Sequence, residues 1–219
     1  MRTVVLSLWA LFAGLSLIIV GNGLQSTLLG VRASLSGFET GVTGAVMACY
    51  YIGFMLGSWT TPRLIARVGP IRVFAALASL FSFAPLAHAL FVHPLAWAFV
   101  RLVSGACMVG IYIIAESWLN AEATNENRGR LLSLYLVVSQ GSMAAGQLLL
   151  QVADPLGFEL FVLISALCSP PVVPLLLTRH PAPRHEQHAT ISLGALTRRV
   201  PLTVVGILLV SLTYGAFYS

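Results

Sequence analysis

Seven apolar runs, each close to the length of a membrane span, divide this chain and leave little between them. They are Val4 to Leu29, then residues 39–61, 72–92, 94–119, 130–152, 157–178 and 200–219. A helix needs about 20 apolar residues to cross the hydrocarbon core of a bilayer. In that core the backbone finds no water, so a span must satisfy its polar groups within itself, as a helix does. The pattern predicts an all-α, polytopic membrane protein. Of the 219 residues, 58% are hydrophobic and 9% are charged, against about 25% charged in a soluble domain. A soluble fold of this composition would cover its surface with apolar groups and aggregate. Composition also excludes a disordered chain and a nucleic-acid-binding module. The basic residues are all arginine and do not gather into one patch. The first run exceeds the about 7–15 residues of a signal-peptide core. Gly21-Asn22-Gly23-Leu24-Gln25 is also unlike a cleavage site, so the run reads as a retained helix.

Arginine placement sets an expected orientation, because cytoplasmic loops carry the excess of positive charge. With the N-terminus inside, Arg2, Arg63, Arg67, Arg72, Arg128, Arg130, Arg179, Arg184, Arg198 and Arg199 fall on the cytoplasmic side. Arg32 alone then falls outside, and Arg101 lies within the fourth span. The expected connections are Arg32–Gly37, Pro62–Ile71, His93-Pro94, Asn120–Gly129, Asp154–Gly157 and the long Arg179–Arg199. Thr124 or Asn125 is the candidate cap of span five. Pro85 in span three, and Pro170, Pro171 and Pro174 in span six, predict kinks or broken turns. Cys49, Cys107 and Cys168 lie far apart in apolar runs and read as small buried hydrophobes, not a disulfide framework.

Small residues four apart let helix backbones approach closely. Gly53 and Gly57 in span two form such a pair, and Ala106/Gly110 and Ser142/Gly146 repeat the spacing in spans four and five. Function is argued from polar groups at membrane depth, where a charge costs at least about 2.5 kcal/mol. Arg101 and Glu116 share span four but stand about 22 Å apart along a helix, so each needs its own partner. Arg101 reads either as a cation facing a cavity or as one reaching the outer headgroups. Glu116 reads as a helix-end lock pairing with a cytoplasmic arginine. Asn22 and Gln25 share a face of span one, where Gly21 and Gly23 are expected to loosen the helix. Gln140, Gln147 and Gln151 share a face of span five, either lining a hydrated path or bonding between helices. Tyr50 and Tyr51 lie mid-span in helix two. Glu39 reads as a solvated end beside Arg32. Trp9, Trp59, Trp97 and Trp118 read as interfacial anchors. His180, His185 and His188 in the long loop lack the partners of a metal site, so no metal and no cofactor is expected.

Three motifs then converge. The segment from Pro62 to Arg72, with Leu64, Arg67, Gly69 and Arg72, resembles the signature loop between spans two and three of the major facilitator superfamily. Arg101-Leu-Val-Ser-Gly105 resembles the family's Arg-x-x-x-Gly signature of the fourth helix. Asn127-Arg-Gly-Arg130 resembles its basic entry into the fifth. The closest likeness is to a poorly characterised branch of bacterial inner-membrane transporters. Two departures stand out: Ala66 replaces the acid of the first signature, and Pro62 replaces its leading glycine.

The resemblance implies a six-helix N-terminal bundle (1–178), a cytoplasmic central loop (179–199) and an interrupted seventh transmembrane helix (200–219). It implies a secondary transporter, not an enzyme, moving a small polar solute by alternating access, with protons as the candidate coupling ion. Arg101, Asn22, Gln25, Gln140, Gln147 and Tyr50 would line the cavity. Arg63, Arg67, Gly69, Arg72, Glu116, Arg128 and Arg130 would form the inner gate. The expected partners are the solute, membrane lipid and a C-terminal bundle, or a second copy if half-bundles work as a homodimer. A non-transporting membrane scaffold or sensor competes with transport, as does a truncated product without function.

Overall fold

A computed structural model describes residues 2–171, 173, 197–206 and 209–210. Six α-helices follow in order: α1 Arg2–Leu35, α2 Thr40–Val68, α3 Pro70–Leu90, α4 Pro94–Glu122, α5 Arg128–Leu148 and α6 Glu159–Cys168. A 3-10 turn over Leu149–Val152 follows α5, and no strand occurs among the described residues. All six helices belong to one unit, Met1–Arg184. In the other unit, His185–Ser219, residues 201–206 are helical. The histidines at 180, 185 and 188, Pro174 and most of the central loop lie outside the described residues.

Four helices are long and apolar enough to cross a membrane: α1 over Leu11–Leu35, and α2, α3 and α4 in full. The helix α5 has 21 residues, the length of a span. Its two arginines, three serines and two glutamines dilute its apolar content. The helix α6 is apolar but covers 10 residues.

Helix ends depart from the expected connections. Where a loop is expected over residues 62–71, α2 runs through Pro62 to Val68 and α3 begins at Pro70. The break falls on Gly69 alone, whose φ of 87° is a conformation that favours glycine. Pro70 can follow because the first residue of a helix has no use for its N–H. At the start of α5 the cap is Asn127, not Thr124 or Asn125. Asn127 Oδ1 accepts from the Thr124 N–H at 2.7 Å and closes the turn before the helix. Pro85 sits inside a continuous α3, and α6 ends at Cys168, just before Pro170 and Pro171.

Helix α2 packs along α4, α1 along α5, and α3 between α4 and α6, with α6 also on α1. Glycine makes the closest of these contacts. A Cβ on Gly53 would meet the Leu102 backbone, and one on Gly105 would meet the Tyr50 carbonyl. A Cβ on Gly57 would lie 2.7 Å from Ala106 Cα. The Gly53/Gly57 and Ala106/Gly110 spacings are thus the α2–α4 seam. Gly146 serves α5 in the same way, against the Val20 carbonyl of α1. Gly21 and Gly23 do not loosen α1, which is unbroken. They admit Cys168 Sγ and the Met143 carbonyl, each 2.5 Å from a would-be Cβ.

Two of the four tryptophans are not interfacial anchors. Trp97 and Trp118 are buried in the core, whereas Trp9 and Trp59 are exposed. The ring of Trp97 packs on Phe38 and His88, and its indole N–H donates to the His88 carbonyl at 3.0 Å. Position near a helix end does not distinguish the two pairs; facing a neighbouring helix does.

Candidate functional site

The α2–α4 seam brings a cation and an aromatic ring together at membrane depth. Leu102 and Gly105 of α4 touch the α2 backbone at Gly53 and Tyr50. Arg101 adjoins the first contact and stands one turn before the second. Its guanidinium carbon lies 4.4 Å from the centre of the Tyr50 ring. Such a contact between a cation and a ring face is worth up to about 2 kcal/mol when water is excluded. Tyr50 packs in turn against Tyr51 and Phe54, with ring centroids 5.6 and 6.3 Å away.

Arg101 is 4% exposed. Its Nε and Nη1 are enclosed and make no hydrogen bond, and it forms no ion pair among the described residues. The guanidinium is packed against the Tyr50 ring. Around it lie Tyr51, the thiol of Cys49 and the imidazole of His88. From α1, the buried Asn22 lies near Tyr50, and its Oδ1 has no partner.

His88 of α3 is a further buried polar group. Its Nδ1 stands 2.8 Å from the Ala84 carbonyl. A carbonyl only accepts, so Nδ1 carries the hydrogen and Nε2 of the neutral ring is an acceptor. That Nε2 is enclosed and has no donor. The available signal is a lone histidine inside an otherwise apolar run.

The remaining cavity candidates separate. Gln25 is fully buried, with both amide atoms unpartnered. Gln140 and Gln147 are exposed on α5, along with Gln151. The structure thus packs Arg101 on Tyr50 with Asn22 nearby, encloses Gln25 within the bundle, and leaves the α5 glutamines on its surface.

At the inner end, Glu116 accepts from the Tyr135 hydroxyl of α5 at 3.2 Å. No ion pair joins it to Arg63 or Arg67 among the described residues, so the expected helix-end salt bridge is replaced by a hydrogen bond between α4 and α5. Arg63 turns back along its own helix to the Trp59 carbonyl at 2.8 Å. Arg67, Arg72, Arg128 and Arg130 are exposed. Glu39, also exposed, does not hold Arg32, which donates to the Pro155 carbonyl at 3.0 Å. No metal-binding group of three or more ligands occurs among the described residues.

Comparison with known proteins adds to this geometry. The family profile described as Major Facilitator Superfamily matches residues 5–219. Among curated proteins, the chain is 27% identical to the "Uncharacterized MFS-type transporter YcaD" of Escherichia fergusonii over 211 residues, 95% of this chain and 55% of that protein. The protein of the same name from Shigella flexneri is 26% identical over the same shares. The chain spans about half the length of these curated relatives. No solved structure matches it.

Proposed function

We propose that this chain, which belongs to the major facilitator superfamily, forms one wall of a secondary transporter for a small polar solute in the bacterial inner membrane. It is a multi-pass membrane protein of a transporter family, and that family points to transport rather than catalysis. The observation that carries the reading is Arg101, a buried cation packed on Tyr50 with no carboxylate partner among the described residues. A charge at this depth is expensive, and one kept without a countercharge reads as a functional group. Tyr50 and Asn22 supply hydrogen-bonding groups beside it. The opposite wall comes from a second bundle, and rocking of the two about the site gives alternating access. Arginine placement supports a cytoplasmic N-terminus. The arginines at the inner ends of α2 and α5, with Glu116 and Tyr135, then sit at the cytoplasmic gate. Proton coupling belongs to the same proposal.

The test is uptake of labelled small polar solutes by cells expressing a full-length version of the protein. Arg101→Ala is expected to abolish the uptake that the unsubstituted protein confers. Unchanged uptake removes Arg101 from the mechanism.

A further inference from the structure

We infer that the Arg101 site takes a solute carrying a single carboxylate, an inference that rests on the transport reading above. The buried set around the guanidinium supplies one positive charge and no negative one. Tyr50 packs on it, Tyr51, Cys49 and His88 lie within its electrostatic reach, and none of these side chains is a carboxylate. Where water is excluded, a cation is best matched by one countercharge, because a dianion would leave a net buried charge. No described side chain provides that countercharge. A guanidinium also presents planar N–H donors suited to a planar carboxylate.

Access is consistent with this occupant. The half-buried Tyr50 and the exposed Tyr51 border the site, and the enclosed Nε and Nη1 keep donors without a partner. A carboxylate would approach past the tyrosines. The Tyr50 ring covers the guanidinium face and leaves its edge as the donor surface.

The inference is tested on the 219-residue chain in detergent micelles, following its thermal midpoint at constant ionic strength. Potassium propionate is compared with potassium chloride, neutral propionamide and potassium phosphate. Propionate at roughly ten times its dissociation constant is expected to raise the midpoint by about 3–6 °C over chloride. Propionamide and phosphate are expected to give no such rise. Arg101→Gln is expected to lose the shift and Arg101→Lys to keep part of it, both variants still melting cooperatively. A second measurement needs no substitution: propionate should slow maleimide labelling of Cys49, the half-buried thiol beside the guanidinium, while Cys107 and Cys168 are enclosed.

An Arg101-dependent shift with propionamide as large as with propionate overturns the carboxylate and leaves the transport reading standing. Phosphate matching propionate overturns the single charge. A propionate shift that survives Arg101→Gln, or no shift and no protection of Cys49, overturns the site. Propionate binding that needs Arg101, combined with solute uptake that ignores it, overturns the transport reading instead.

Discussion

Gly105 packs on the Tyr50 carbonyl, and one helical turn away Arg101 lies under the Tyr50 ring. One stretch of α4 therefore holds both the backbone and the side chain of Tyr50. The close approach of the two helices is what brings the cation and the ring together. A wider seam would separate them.

Gly105→Ala tests this coupling. The added methyl would collide with the Tyr50 carbonyl, which is backbone and cannot swing aside. The expected loss is about 1–3 kcal/mol of stability, read as a lower thermal midpoint in detergent. Gly141→Ala is the control. Its Cβ meets nothing within 4 Å, and helix propensity favours alanine by up to about 1 kcal/mol. Its midpoint should hold or rise.

Arg101→Met separates a functional charge from a structural one. Replacing buried charged groups with apolar ones of similar volume is often neutral or stabilising by about 1–4 kcal/mol. Arg101 has no ion-pair partner to orphan among the described residues. We expect the thermal midpoint to stay or rise while uptake by the full-length version is lost. A marked fall in the midpoint would instead make Arg101 a strut of the bundle.

Tyr135→Phe removes the hydroxyl that donates to Glu116 at 3.2 Å. Glu116 is exposed, so water can replace the lost partner. The expected cost is at most about 1.5 kcal/mol. Glu116→Gln keeps an acceptor and should cost less. A double-mutant cycle on the thermal midpoints isolates the link between α4 and α5.

Single-tryptophan variants in bilayers with brominated lipids test which indoles face outward. Trp59 is exposed and should be quenched strongly; Trp97 is fully enclosed and should be quenched least. Trp97→Ala should also lower stability by about 3–5 kcal/mol, because it empties a core position and removes the donor to the His88 carbonyl. Trp59→Ala should leave the midpoint nearly unchanged.

Much of this protein is legible along the chain because lipid imposes a one-dimensional rule. Apolar length and backbone self-satisfaction specify helices wherever they occur. The four strongest runs are α1 to α4, and the Gly53/Gly57 pair marks a close seam even before its partner is known. Arg101 stands out because so few charges lie deep in the runs. Partners are a different matter, since they depend on rotation about each helix axis and on which helices touch. The 3.6-residue period puts Gln140 and Gln147 on one face, but only packing could make that face a surface. The same holds for Trp97 against Trp59, for Glu116 meeting Tyr135 instead of an arginine, and for the lone histidine at residue 88. Sequence by itself determined the all-helical membrane class, the four most apolar spans and the unusual charge. Tertiary structure decided which polar atoms are enclosed and what faces them, because burial is a property of two surfaces and a sequence states only one at a time.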